Sequence, residues 1–219
     1  MKPLLVLNFK NFPESTGVNA VKLARVCERF ARKSKKFQLV LCPSFTDLPI
    51  VAKVVSCCQV FSQHVDPVEL GAFTGSFSVP LAKQHCIGTL LNHSERKLSN
   101  RVLQKTIELC KKHGFKTLVC VDSIAEARET ALFHPDFIAL EPPELIGKGI
   151  SVSTSQPKLI TAALRAVNGV NPNLSVLVGA GVSNADDVFR SLELGSNGVL
   201  VASAFAKNKN PRKWLASLG

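Results

Sequence analysis

The sequence has no tyrosine, one tryptophan and one methionine among 219 residues. With so few aromatics of that kind, and no RNP-type aromatic pattern to stack bases, a dedicated nucleic-acid partner is not expected. There is also no apolar run near the roughly 18 residues that a bilayer-spanning helix needs, so no membrane partner is expected. None of the seven cysteines pairs with another at the CxxC spacing of a redox or zinc site. An odd number suits a secreted disulfide framework poorly, and the thiols read as reduced and mostly buried. No linker, low-complexity segment or shift in composition divides the chain, which predicts a single domain over residues 1–219.

Acidic residues are scarce, with 16 against 27 basic ones, for a net charge of +11 and a pI near 9.5. Such a balance raises the question of a polyanionic partner. The basic residues, however, are spread along the chain. The densest cluster, Arg29, Arg32, Lys33, Lys35 and Lys36, falls at a predicted helix end, where cations favour the dipole and face water. A solvated surface that attracts small anions is the reading adopted. The N-terminal MKPLLVLNFKNF has no small-residue cleavage site and is interrupted by Asn8 and Lys10. It reads as a first strand rather than a signal peptide, and a cytoplasmic location is expected.

Hydrophobic residues make up 46% of the chain, enough for a sizeable core, and their spacing carries the fold. Apolar, β-branched runs fall at 4–9, 37–42, 59–63, 86–91, 115–121, 137–141, 174–179 and 198–202. Helical patterns lie between them at 18–33, 100–113, 124–133, 156–167 and 184–194. The second helix is less distinct, and the third, near Pro80–Gln84, is very short. Ser183 or Asn184 can cap the helix before the last strand, and Gly114, Gly169 and Gly195 are placed to stop helices. Eight strands apolar throughout, alternating with helices, predict a parallel sheet closed into a compact (β/α)8 barrel with shortened helices. An open doubly wound sheet would favour a glycine-rich fingerprint after the first strand. Asn8-Phe9-Lys10-Asn11 stands there instead.

In such a barrel the chemistry belongs at the C-terminal ends of the strands. The sixth run ends in Glu141, followed by Pro142 and Pro143 and then by Gly147-Lys148-Gly149. A stiff segment leading into a flexible one suggests a catalytic base under a lid, or else a plain strand-end carboxylate. Asn8 and Lys10 share one side of the first strand's pleat, a cation beside an amide donor that suits an oxyanion or phosphate ester. Singly, Lys10 also reads as a solvated strand-end lysine. His93 follows the fourth strand and precedes Ser94-Glu95-Arg96, which look helix-starting. A nearby helix N-terminus would favour the uncharged imidazole as a donor. Glu95 is placed to pair with Lys10 or Arg96, or is an ordinary first-turn acid. Small residues at Gly179, Ala180, Gly181, Ala202 and Ser203 let backbone N–H groups approach a phosphate, although tight turns use the same residues.

The strings NFK at Asn8–Lys10, GAFTGS at Gly71–Ser76, NHSERK at Asn92–Lys97, EPPELIGKG at Glu141–Gly149, GAGVS at Gly179–Ser183 and GVLVAS at Gly198–Ser203 together resemble the triosephosphate isomerase family, particularly its short archaeal form. Each is weak alone, but all six run in the family's order and spacing over nearly the whole chain. The resemblance implies a TIM barrel that interconverts dihydroxyacetone phosphate and glyceraldehyde 3-phosphate with no cofactor and no metal. It implies Glu141 as the base, His93 as the neutral electrophile, Lys10 and Asn8 as substrate-binding and enediolate-stabilising groups, and Glu95 in a supporting role. The lid corresponds to Pro142, Pro143, Glu144, Leu145, Ile146, Gly147 and Lys148. The amides of Gly147, Gly181, Ala202 and Ser203 correspond to the phosphate donors, and Cys120 to a cysteine packed close to the base. By resemblance Thr74 reaches a neighbouring subunit's Asn8 and Lys10, in a homotetramer or, as the alternative, a dimer.

Several positions depart from the family pattern. Lys148 stands where Thr is common in the lid, Pro143-Glu144 replaces a Val-Trp pair, Ser76 replaces a Glu, and Gly181 replaces a Ser. No proposed catalytic group is missing. Two other readings compete with this one. A phosphate-binding barrel such as a sugar-phosphate epimerase should show metal-ligand His and Asp at several strand ends, which are not found. A catalytically idle anion-binding barrel is motivated by the charge alone.

Overall fold

Along each apolar run the side chains alternate between two buried destinations, which is why the runs contain almost no polar residues. Leu4, Val6, Val40, Cys42, Phe61, Leu90, Leu118, Cys120, Ala139, Leu177 and Leu200 form one cluster that fills the barrel interior. Their neighbours Leu5, Leu7, Leu39, Leu41, Val119, Ile138 and Val176 belong to a second cluster, packed under the helices. The computed structural model describes residues 2–146 and 149–219. Its first half runs β1 (Leu4–Asn8), α1 (Val18–Lys33), β2 (Gln38–Cys42), α2 (Leu48–Val54), β3 (Gln59–Ser62), α3 (Val79–Ala82), β4 (Gly88–Leu91) and α4 (Asn100–Lys112). The second half runs β5 (Lys116–Val121), α5 (Ile124–Ala131), β6 (Phe137–Leu140), α6 (Val152–Ser155), α7 (Pro157–Asn168), β7 (Ser175–Val178), α8 (Ala185–Glu193), β8 (Gly198–Val201), α9 (Ser203–Ala206) and α10 (Pro211–Ala216).

The eight strands close in sequence order, with β1 hydrogen-bonded in parallel to both β2 and β8. Val6 stands opposite Val40 on one side and Leu200 on the other. The fold is therefore the (β/α)8 barrel expected from the spacing of the apolar runs. Helix starts follow their caps: Ser99 opens α4 and Ser123 opens α5. Asn184 and Asp187 form a reciprocal capping box on α8. Gly114 and Gly195 leave their helices with positive φ, whereas Gly169 remains right-handed at the end of α7.

Three short helices have no counterpart among the helical patterns of the sequence, α6, α9 and α10. Asn210, whose side chain accepts from the Lys213 N–H, and Pro211 at the first helical position were the available signal for α10. Cys86 lies just before β4 rather than within it. The cysteines are free, with Cys57 exposed and the other six buried. Lys22, Arg25, Arg29, Arg32, Lys33, Lys35 and Lys36 are all exposed. No helix among the described residues is long and apolar enough to cross a membrane.

Candidate active site

The strand ends continue the barrel's inward alternation by one step, and this selects the site. Asn8 follows Leu4 and Val6, Glu141 follows Ala139, Gly179 follows Leu177, and Ala202 follows Leu200. These residues, with Lys10, His93, Glu95, Gly181 and Ser203, line a cavity of about 680 Å³ at the C-terminal mouth of the barrel. Thus Asn8, Lys10, His93, Glu95, Glu141, Gly181, Ala202 and Ser203 come together as expected. Pro142 is buried, Pro143–Leu145 form a single 3-10 turn, and Ile146 reaches the cavity wall. The phosphate role of Gly147 and the departure at Lys148 lie outside the described residues.

Lys10 has φ 49°, unusual for a side chain of its size. Two contacts hold that backbone. The Lys10 N–H donates to Asn8 Oδ1 at 2.9 Å, and Gln63 Nε2 donates to the Lys10 carbonyl at 3.0 Å and the Cys42 carbonyl at 3.1 Å. The ammonium then meets Glu95 Oε1 at 2.7 Å, with 11% of the lysine side chain exposed. Phe9, turned the other way, packs on Phe205 beneath the helices.

His93 reaches the mouth because Asn92 takes φ 58°, which breaks the strand's alternation. Asn92 is held there by bonds from its Nδ2 to the Cys120 carbonyl and Glu126, and from the Leu98 N–H to its Oδ1. Burial alone would raise the Glu126 carboxyl, but Lys97, the Asp122 N–H and Asn92 outweigh it and hold it below the usual range. The expected helix start at Ser94–Arg96 is a single turn closed by the Arg96 N–H on the His93 carbonyl, and α4 begins only at Asn100. The imidazole is oriented by one amide instead. The Glu95 N–H donates to Nδ1 at 3.1 Å, while the Glu95 carboxylate lies 3.7 Å from the same nitrogen, beyond hydrogen bonding. An Nδ1 that accepts leaves the ring proton on Nε2, facing the cavity. Glu95 thus pairs with Lys10, and Arg96 turns away to Asp66 at 3.4 Å.

Glu141 leaves β6 with its N–H on the Val121 carbonyl, and 5% of the residue is exposed. Its Oε2 has no hydrogen-bond partner among the described residues. A β-carbon added to Gly179 would stand 2.6–2.8 Å from the Glu141 Cγ, Cδ and Oε1, so the missing side chain just beyond β7 is the space the carboxylate occupies. Burial first, then the neighbouring Glu141 charge and a hydrogen bond to it, push the Cys120 thiol well above its ordinary value. It stays protonated beside the acid.

The opposite wall of the cavity is built from the turns after β7 and β8. Gly181 has φ 71°, and a β-carbon there would overlap the Ile150 carbonyl oxygen. The Val152 N–H donates to the Ala180 carbonyl at 3.1 Å, joining the start of α6 to the same turn. Ala202 and Ser203 open α9, where the first N–H groups have no intrahelical partner. From the far end of the chain, Trp214 Nε1 donates to the Ser183 carbonyl at 2.8 Å and braces this turn. Sequence reasoning did not single out Gln63, Phe12 or Lys207, and it read Gly179 only as part of a phosphate turn. Position was the usable signal for Gln63, one step beyond β3 on the inward alternation.

A buried carboxylate with a free oxygen, an imidazole N–H, an ammonium and unpaired amides around one small cavity suit proton transfer next to a carbonyl in an anionic substrate. The family model for triosephosphate isomerase matches residues 3–217. The triosephosphate isomerase of Methanothermus fervidus is 38% identical over 218 residues, which cover 99% of this chain and 97% of that protein. That of Methanobrevibacter smithii is 38% identical over 217 residues, with the same coverage of both. That of Methanococcoides burtonii is 41% identical over 200 residues, covering 91% of this chain and 90% of the relative. The chain belongs to the triosephosphate isomerase family.

Proposed function

We propose that the protein interconverts dihydroxyacetone phosphate and D-glyceraldehyde 3-phosphate through an enediolate, as an aldose–ketose isomerase of glycolysis and gluconeogenesis. The observation that carries the reading is the pair formed by Glu141 and His93: a buried carboxylate oxygen without a partner, and an imidazole whose amide contact leaves Nε2–H as a donor. The division between a Glu base and a neutral His electrophile is the established pattern of this enzyme class.

In this reading Glu141 removes the proton at one carbon and returns it at the neighbouring one. His93 Nε2–H polarises the carbonyl and exchanges protons with the two oxygens. Lys10 and Asn8 meet the negative charge that develops on oxygen, and Glu95 supports both by holding the Lys10 ammonium and the His93 ring. Positioned proton transfer contributes on the order of 10²–10⁴-fold, and preorganised electrostatics supply much of the remainder. The amides of Gly181, Ala202 and Ser203, together with Gly147, bind the phosphate. Pro142 to Lys148 form the lid that excludes water and retains the enediolate. No cofactor or metal is called for, because the side chains supply every proton and charge the steps need.

The same reading places the whole chain in one domain, in the cytoplasm, acting on a small phosphorylated triose rather than on nucleic acid or membrane. It assigns self-association as a homotetramer, or a dimer, with the Gly71–Ser76 loop crossing to a neighbour. Leu70 and Phe73, both exposed at this loop, support this as apolar surface for a neighbour to cover. The test is a coupled assay of glyceraldehyde 3-phosphate isomerisation on the wild type and Glu141→Gln. An active wild type, with a variant that loses several orders of magnitude yet still binds 2-phosphoglycolate, supports base and phosphate site separately. A folded but inactive wild type sinks the reading, and an active variant removes Glu141 as the base.

A further inference from the structure

We propose that Lys207 is a phosphate-binding residue: its ammonium, held at the cavity rim by the Phe12 ring, supplies the net positive charge at the phosphate end of the site. This rests on the isomerase reading and adds to it a residue outside the strand-end motifs.

Two cations line the cavity among the described residues, Lys10 and Lys207. They are differently placed. The Lys10 ammonium pairs with Glu95 at 2.7 Å, whose amide orients His93, and so it stands at the end of the cavity where the reacting oxygens lie in this reading. Lys207 has no carboxylate within ion-pair distance among the described residues, and its Nζ lies 5.2 Å from the Phe12 ring centroid. Phe12 itself lines the cavity. Its backbone is fixed, because its carbonyl accepts from the Ser15 N–H and from the Thr16 hydroxyl. An aromatic face so anchored attracts a cation and limits where a flexible lysine goes.

The chain path brings Lys207 to the phosphate turn. It directly follows α9, and its N–H donates to the Ser203 carbonyl at 3.1 Å, so it stands one turn beyond the Ala202–Ser203 amides. Those amides offer direction but no net charge. A triose phosphate enters with about two negative charges, and moving them into a cleft that closes against water calls for a counter-charge. Among the described residues that line the cavity, Lys207 is the cation without a carboxylate partner, and it is positioned to provide it. Because it touches the phosphate and not the reacting carbons, its contribution is equal in ground and transition states and appears in KM, not kcat.

The test compares wild type, Lys207→Gln, Lys207→Arg and Phe12→Leu. In Lys207→Gln, KM for glyceraldehyde 3-phosphate is expected to rise about fivefold with kcat within twofold. The Kd of 2-phosphoglycolate, read by calorimetry, should rise in parallel, and the fall of kcat/KM with ionic strength should flatten. Lys207→Arg should restore both, and Phe12→Leu should give an intermediate rise in KM. Turnover of unphosphorylated glyceraldehyde should be the same in wild type and Lys207→Gln. An unchanged KM and salt dependence in Lys207→Gln would overturn the inference while leaving the isomerase reading intact. So would a loss confined to kcat, which marks a structural effect. A wild type with neither activity nor affinity for 2-phosphoglycolate overturns both.

Discussion

Glu141 Oε2 lies 3.9 Å from His93 Nε2, and both side chains are nearly closed off from solvent. The separation exceeds a hydrogen bond, so neither group consumes the other. Two neighbours keep it so. The Glu95 amide sets the ring through Nδ1, and Gly179 leaves the carboxylate its place against β7.

Gly179→Ala tests the second of these constraints. The added methyl must displace Glu141, whose atoms stand 2.6–2.8 Å from it. A shift of about 1 Å at the base costs on the order of 10²-fold in kcat. The 2-phosphoglycolate Kd should change much less, since the amides proposed to bind the phosphate lie on other residues. Steady-state kinetics beside calorimetry would read both, and wild-type kcat would show that the acid's position is not set by β7.

Gln63→Met removes both bonds from the side chain to the carbonyls of Lys10 and Cys42 while keeping its length. The strained Lys10 backbone then loses its brace. We expect stability to fall by about 1–3 kcal/mol and kcat to fall roughly tenfold, by misplacing the Lys10 ammonium. Urea denaturation and the isomerase assay are the measurements; an unperturbed kcat would mean that Asn8 alone holds the turn.

Much of this was legible in the residues themselves. All eight strands fall within two residues of the apolar runs, because strands buried on both sides need apolar residues at every position. Asn8, Lys10, His93 and Glu141 were legible because each interrupts such a run with a polar group at its end. The turn after His93 was not. Ser94, Glu95 and Arg96 suit a first helical turn and an isolated turn equally, and only the closing bond to His93 distinguishes them. Gly179 was half-legible, since small residues in a strand-end turn do not announce which neighbour takes up the vacant volume. Gln63 and Lys207 act through partners far off in sequence, Lys10 and Phe12, and no local pattern reports that.

Acid stability should depend on Glu28. Burial alone would raise its carboxyl, but the N–H groups of Cys57 and Ser56 and the Ser56 hydroxyl outweigh that and hold it near about 2, against an ordinary 4.5. With the folded value below the unfolded one, the stabilisation is full above about pH 4.5 and is lost as the pH falls toward about 2. Glu28→Gln should therefore lower stability by about 1–3 kcal/mol at pH 7, with the difference shrinking in acid. Denaturation of both proteins at pH 7 and pH 3 checks it, and a constant difference would refute it.

Thiol labelling should divide the cysteines sharply. Cys57 is exposed and the other six are buried. Burial pushes up the thiols of Cys27, Cys42, Cys86, Cys110 and Cys120, which lowers their reactive thiolate fraction. A native sample titrated with an aromatic disulfide should release one fast equivalent without loss of isomerase activity, and the rest only in denaturant. Fast modification of more than one thiol, or inactivation with the first, would contradict this packing.

The contact between Gly181 and the Ile150 carbonyl bears on how parts can be exchanged between relatives. The volume that a serine would need at position 181 is already filled by the main chain that closes the lid segment. Loop and turn are thus a single transplantable unit. A chain that receives only the serine at position 181 must move the main chain at Ile150 and Ser151 to make room for it. Residues 150–152 and the 180–181 turn have to be exchanged together to keep this fit.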